Sequence, residues 1–159
     1  KFLNEMVKEG ALIALDQQIN PSEEKEMGTQ SIVKINRGEM ILWVGECQGK
    51  IIARAVAEKM PMRERDNVSL SFYVAKDFRG AGLGSSLLRM LVDEAKRVFK
   101  PHNLYLTVYS DNERAMKLYR REGFVKVGVL PGWMKHEDRY LDRVFMLYKK
   151  GSRGKGGKT

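Results

Sequence analysis

The stretch Ser69-Leu70-Ser71-Phe72-Tyr73-Val74-Ala75, followed through Lys76-Asp77-Phe78 by Arg79-Gly80-Ala81-Gly82-Leu83-Gly84-Ser85, passes from an extended pattern through a glycine loop into a helix. Val68–Ala75 reads as a strand. Downstream, Gly84–Lys100 places Leu87, Leu88, Leu91, Val92, Ala95, Val98 and Phe99 on one helical face, with Arg89, Asp93, Lys96 and Arg97 elsewhere, and Pro101 stops it. Three alternate glycines permit a tight path and let backbone amides face an anion with no Cβ in the way. The helix that follows adds unpaired N–H groups and the positive end of its dipole. Together these features predict a phosphate cradle, although glycines alone would also suit a tight turn with no ligand. A P-loop needs Gly-Lys-Ser/Thr at the helix start, and Ser85 follows Gly84 directly. A dinucleotide fingerprint needs G-x-G-x-x-G near a first strand, whereas this loop is Gly80-x-Gly82-x-Gly84 after a hairpin.

Outward from this loop, Leu104–Val108 reads as a strand. Asn112–Glu122 reads as a short helix capped by Asp111 or Asn112 and stopped by Gly123. Phe124–Val129 and Tyr140–Tyr148 are two further strands around an irregular loop. Upstream, Ile41–Glu46 and Ile51–Met60 form a hairpin about Cys47-Gln48-Gly49-Lys50. Phe2–Leu15 is near helical spacing, interrupted at Gly10, and a second helix starts at Pro21-Ser22-Glu23-Glu24 with Ser22 as cap and ends near Gly38. The order predicts one α/β domain over residues 1–149, followed by a basic Gly-rich tail over 150–159.

At 159 residues with 43% apolar and 31% charged content, the chain has room for one substantial core. No apolar run reaches the ~18 residues of a membrane span, and no signal peptide is evident. The single cysteine excludes an internal disulfide framework. His102 and His136 lack partners at metal-ligand spacing, so no metal is expected, and a reducing, cytoplasmic setting follows as the simplest expectation. The net charge of +9 raises nucleic-acid binding as a candidate function. Five of the 29 basic residues lie in KKGSRGKGGKT at 149–159, which leaves 24 against 20 acids. More than half of the imbalance thus sits in a tail with too little apolar surface to fold, and nucleic acid is not the expected partner.

Arg79-x-x-Gly82-x-Gly84 resembles the R/Q-x-x-G-x-G/A signature of the GNAT superfamily of acetyl-CoA-dependent N-acetyltransferases. Asn112-Glu113-Arg114-Ala115-Met116-Lys117-Leu118-Tyr119-Arg120-Arg121-Glu122-Gly123-Phe124 is similar to that family's N-x-x-A-x-x-L-Y-x-x-x-G-F segment. Arg139–Met146 resembles the closing segment of its small-molecule and amino-acid members. The resemblance implies a mixed, mostly antiparallel sheet flanked by helices, with acetyl-CoA as cosubstrate. It also implies a strand ahead of the first helix, which this sequence lacks. Either that strand precedes Lys1 or the sheet begins differently.

The resemblance further implies roles. Arg79, Gly80, Ala81, Gly82, Leu83, Gly84 and Ser85 would hold the CoA pyrophosphate. Phe72, Tyr73 and Val74 would hold the pantetheine arm, one strand amide serving as oxyanion donor. Asn112 would bond to the same arm, cap its helix, or do both. Tyr119 would hydrogen-bond the CoA sulfur and protonate the departing thiolate. Ser69 and Thr107 stand where some relatives carry a glutamate base, so that role does not transfer. Glu58 and Asp66 are the candidate bases, and Asp142 is a candidate base or amine-binding group. Cys47 in a turn, far in sequence from either histidine, does not suggest an acetyl-enzyme. Met60, Met62, Trp133 and Met134 are candidates for an acceptor pocket or for plain core. The acceptor is expected to be a small amine or amino acid, with a peptide or protein amine still open, and the enzyme a monomer or homodimer. A non-catalytic acyl-CoA-binding module and an RNA- or ribosome-associated protein using the tail are the competing functions.

Overall fold

The computed structural model describes residues 2–11, 13 and 17–149. It contains helices α1 (Phe2–Lys8), α2 (Pro21–Asn36), α3 (Leu83–Phe99) and α4 (Glu113–Arg121). Its strands are β1 (Met40–Cys47), β2 (Lys50–Lys59), β3 (Asn67–Val74), β4 (Asn103–Tyr109), β5 (Phe124–His136) and β6 (Arg139–Tyr148). They form one sheet in the order β1-β2-β3-β4-β6-β5. Every neighbouring pair is antiparallel except β3 with β4. This is the expected mixed, mostly antiparallel sheet with flanking helices. The expectations on residues 12, 14–16 and 150–159, including the tail, fall outside the described residues.

Two local readings are corrected. The cap of α2 is Asn20, not Ser22: its side chain accepts from the Ser22 and Glu23 amides while Glu23 accepts from the Asn20 amide at 2.7 Å. Pro21 is the first helical residue, a position where a missing N–H costs nothing, and that moves the cap upstream. The irregular loop after Val129 is mostly strand. β5 continues to His136, pairing with β6 again at Met134↔Leu141 after a bulge between Leu130 and Met134. Asp142 holds the bulge, its Oδ1 accepting from the Gly132 amide at 2.9 Å. A Pro-Gly step reads as a breaker locally, but the partner strand restores pairing beyond it.

Strand alternation divides the sheet into two faces. One carries Ala55, Ala57, Val68, Leu70, Leu104, Leu106, Val108, Val144 and Met146, all buried against Leu88, Leu91, Val92 and Ala95 of α3. The small side chains of Ala55 and Ala57 have no exposure, and α3 packs over β2 and β3. Val98, expected on the apolar face of α3, is 44% exposed, in the last turn of the helix. The opposite face carries Arg54, Glu58, Ser69, Ser71, Tyr73, Tyr105, Thr107, Tyr109 and Arg143, and meets α1 through the Phe2–Tyr73 ring contact.

The feature that creates a site is a split. β3 and β4 pair only from Asn67↔Asn103 to Leu70↔Leu106, although β3 runs on to Val74 and β4 to Tyr109. Beyond Leu70, β3 stays with β2 as far as Val74↔Ala53, and β4 stays with β6 as far as Tyr109↔Arg143. The two halves of the sheet part, and the glycine loop leads from the open end of β3 into α3.

Candidate active site

A cleft of about 1140 Å³ follows this split, lined by Ser71–Val74 on one side, Thr107–Tyr109 on the other, the glycine loop, and α4. Its wall on β3 is backbone. The Ala75 amide donates to the Ile52 carbonyl of β2, so by alternation the backbone groups of Tyr73 and Ser71 also turn toward β2. Those of Phe72 and Val74 then face the split. Of the three strand residues expected to hold a ligand arm, Phe72 turns its main-chain groups to the split and Val74 its amide, the Val74 carbonyl being bound by Arg79. Tyr73 contributes only a side chain.

At one end of the cleft lies the start of α3. Gly82 is its N-cap with φ 83°, and Gly80 has φ 101°, both in the left-handed region open to glycine. No side chain caps this helix and its first turn holds no acid. The first intrahelical bond is from the Ser86 amide to the Gly82 carbonyl, so the amides of Leu83, Gly84 and Ser85 are left for another acceptor. Gly84 is helical, and a Cβ on it would meet Leu118 and Phe72 at 3.7 Å, an ordinary contact. Ala81 and Leu83 belong to the loop but do not line the cleft. The Ser85 hydroxyl is already engaged, donating to Glu122 at 2.6 Å and accepting from Arg121 at 2.8 Å, so its amide is the group facing the cleft.

Arg79 is the main surprise at this end. Its Nε donates to the Val74 carbonyl at 2.8 Å, and its terminal nitrogen donates to Glu9 at 2.9 Å and to the Tyr73 hydroxyl. The guanidinium therefore ties the loop to β3 and α1. Burial, and then the hydrogen bond to Glu9, push the Tyr73 phenol above its usual range. Further positive charge along the cleft stands on α4, whose Arg114, Lys117 and Arg121 line it beside Arg79, Arg114 lying over Gly80. The sequence analysis missed these three, although their spacing of three and four residues puts them on one helical face. Glu113, at the exposed start of α4, pairs with Lys117 at 3.5 Å.

Midway along, Tyr119 projects from α4 beneath the split. Its ring is 8% exposed and packs edge-on against Phe72 at 5.9 Å and against Phe124 at 6.0 Å. Among the described residues its hydroxyl has no hydrogen-bond partner, yet none of their buried polar atoms is unsatisfied, so that hydroxyl opens to the cleft. Burial pushes its pKa up to about 12, which keeps it a proton donor at any ordinary pH. Asn112 lines the cleft and also caps α4, its Oδ1 accepting from the Ala115 amide at 3.1 Å. Its Nδ2 donors remain for a ligand, so cap and contact are compatible.

Glu58, Asp66 and Asp142 do not line the cleft. Glu58 lies on β2, paired in register with Ser69, and its carboxylate is bound by Lys34. Asp66 is exposed before β3, at the opposite end of that strand from the glycine loop, where its carbonyl accepts from the His102 amide at 2.7 Å. Asp142 serves the bulge. A second cavity of about 590 Å³ adjoins the cleft, lined by Val7, Gly10, Ala11, Ile13, Tyr109 and Arg143 together with Trp133–Glu137 of the β5–β6 hairpin. Trp133 and Met134 thus do line a pocket. Met60 instead accepts from the Tyr105 hydroxyl, and Met62 is exposed on a surface turn. Cys47 is a free thiol in the β1–β2 hairpin. Among the described residues no group of side chains could hold a metal, and no helix is long and apolar enough to cross a membrane.

A model of the acetyltransferase (GNAT) family matches residues 11–124 of this sequence, the span that holds the split strands, the glycine loop and α4. This chain belongs to the GNAT family. It is 32% identical over 115 residues to the L-methionine sulfoximine/L-methionine sulfone acetyltransferase of Pseudomonas aeruginosa, a match covering 71% of this chain and 66% of that one. It is 29% identical over 82 residues to the spermine/spermidine N(1)-acetyltransferase of Bacillus subtilis, covering 48% and 54% respectively. The chain spans about half to two thirds of the length of these curated relatives. Among solved structures, a GNAT phosphinothricin acetyltransferase from Sinorhizobium meliloti in complex with acetyl-CoA superimposes with a TM-score of 0.74 at 25% identity, covering 99% of this chain and 87% of that one.

Proposed function

We propose that this GNAT chain transfers the acetyl group of acetyl-CoA to a small primary amine by direct attack, with both substrates bound together. The observation that carries this reading is the split between β3 and β4, which joins an uncapped helix start at one end to a second cavity at the other, with the Tyr119 hydroxyl in between. Acetyl-CoA supplies an acetyl group already activated as a thioester. The fit is physical: three free amides and a basic face on α4 suit a pyrophosphate, and an open strand edge suits an amide-bearing arm. In this reading the amides of Gly84 and Ser85, with Arg114, bind the phosphates, while Arg79 positions the loop. The backbone of Phe72 and Val74 binds the arm. One of their amides stabilises the negative charge that develops on the carbonyl oxygen, on the scale of about 3 kcal/mol.

Tyr119 donates a hydrogen bond to the sulfur as it becomes a thiolate. A phenol is a weaker acid than a thiol, about 10 against about 8.5 even before burial pushes Tyr119 up to about 12, so transfer of its proton to the thiolate is uphill. Tyr119 therefore acts as a donor that stabilises charge, and the proton the sulfur gains is the one the attacking nitrogen loses as the new amide forms. The acceptor's first proton, which makes it an ammonium in solution, goes to water, because no cleft-lining carboxylate other than the ion-paired Glu113 is available among the described residues. Glu58 stays a candidate only through a water relay. The domain over 1–149 carries the activity in this reading, in a reducing, cytoplasmic setting. The test is release of free CoA thiol with an amine panel. Tight CoA binding with no thiol release for any amine would instead identify a non-catalytic acyl-CoA module.

A further inference from the structure

The cleft and the adjoining cavity share Ala11, Ile13, Tyr109 and Arg143, and on the acetyl-transfer reading their junction is where an acceptor amine would meet the acetyl group. Two arginines line the cleft on one face of the sheet, and one of them, Arg143, lines the second cavity as well. Arg143 of β6 is paired in register with Tyr109, and Arg54 of β2 with Tyr73, one on each side of the split. Arg143 is half-buried, and its Nε donates to Thr107 Oγ1 at 3.1 Å, which fixes the side chain and leaves its terminal nitrogens for another acceptor. Among the described residues, no carboxylate lies within ion-pair distance of either guanidinium. Arg54 is half-buried too, and its pKa is lowered by burial against the opposing field of Glu58. The nearby acids are committed elsewhere: Glu58 to Lys34, and Glu9 to Arg79 and Tyr73. Glu137 lies across the second cavity, on the tip of the β5–β6 hairpin.

Half-buried guanidiniums without an anion are costly to keep, and a fixed fork with free N–H groups matches a carboxylate. We infer that the acceptor is an amine that also carries a carboxylate, an α-amino acid or close analogue, and that Arg143 is the residue that selects it. This deepens the acetyl-transfer reading and rests on it. The carboxylate sits on the terminal nitrogens of Arg143, the amine points into the split, and the acceptor side chain enters the cavity between Val7, Ile13, Trp133 and Met134. Arg54 adds positive potential without contact. Polyamines are selected against, because a second or third ammonium would enter beside Arg143, which no carboxylate among the described residues pairs.

The test uses matched acceptors: methionine and leucine against the same amines lacking the carboxylate, with spermidine as the polycation. The full chain should show kcat/KM for each amino acid at least about 10-fold above its decarboxylated partner, as expected for a charge-assisted hydrogen bond. Arg143→Gln should bring that ratio close to one, chiefly through KM, with melting temperature and CoA affinity kept. Arg143→Lys should restore part of it. Equal rates for the paired amines, preference for spermidine, or an unchanged ratio in Arg143→Gln would overturn the inference. Binding of N-acetylmethionine, followed calorimetrically in the presence of CoA, separates the two readings. Binding lost in Arg143→Gln, but with no turnover by the native chain, would defeat acetyl transfer and leave carboxylate recognition standing. Absence of binding to the native chain would defeat carboxylate recognition even if some other amine is acetylated.

Discussion

The two ends of the cleft are built from different materials. The α3 end uses main-chain amides presented by a loop whose conformation only glycine adopts easily, and the junction end uses side chains from α1, β4, β6 and the β5–β6 hairpin. The first is local, formed by seven consecutive residues, Arg79–Ser85. The second exists only because strands far apart in sequence pair side by side. A local, backbone-built site tolerates change in its side chains but not in its glycines. A side-chain-built site can change its ligand by single substitutions without disturbing the fold. The family can therefore keep one cosubstrate while its members differ in acceptor.

Substitutions at the α3 end test this contrast most severely. Gly82→Val forces a branched side chain into a left-handed conformation and closes over the free amides, and CoA affinity is expected to fall by about 10²-fold or more. Calorimetric titration with CoA reads it directly, and unchanged affinity in a folded variant would break the assignment. Gly84→Ala sharpens the same point. Its Cβ meets only ordinary contacts in a helical residue, so stability should stay within about 1 kcal/mol and any lost affinity reports ligand approach alone.

Between the two ends, Tyr119→Phe is expected to lower kcat by about 10- to 100-fold, the value of a hydrogen bond to a charged group. CoA affinity and melting temperature should change little, because the ring that packs against Phe72 and Phe124 remains. A large fall in melting temperature would return Tyr119 to a packing role. The same variant has a pH signature. The folded phenol titrates near 12 and the unfolded one near 10, so the folded state holds the proton more tightly, and stability falls as pH rises from about 10 through 12. Tyr119→Phe should lose that part of the alkaline decline, as measured by denaturant melts across this window.

Two arginines separate charge from scaffolding. Arg114→Gln should weaken CoA binding by about 5-fold at low salt and by less at high salt, as expected for an exposed cation meeting phosphate. Arg79→Ala should instead cost roughly 1–2 kcal/mol of stability, with a loss of affinity that salt does not relieve, since its partners are Val74, Glu9 and Tyr73. The reverse pattern would restore Arg79 as a phosphate ligand. The smallest effect is expected from a chain ending at Lys149, which should turn over small acceptors within about 2-fold of the full chain. A collapse of turnover would show that the tail takes part in the site.

The sequence by itself determined the order of elements, the apolar faces of α3 and β4, the glycine loop, and the pairing of that loop with the Asn112–Phe124 segment. Each depends on periodicity or on residues close in the chain, where local geometry leaves few choices. It failed where a distant partner decides. Pro131-Gly132 reads as a strand end until β6 resumes the pairing beyond the bulge. The bonds of Arg79 to Val74, Glu9 and Tyr73 could not be read from the loop alone, because α1 and β3 supply the partners. Glu58 and Asp66 read as bases near a strand end until the parting of β3 and β4 shows which end opens. The meeting of Tyr109 and Arg143 with the β5–β6 hairpin was decided by tertiary structure alone. Strand order sets which side chains become neighbours across the sheet, and no spacing along the chain encodes that order.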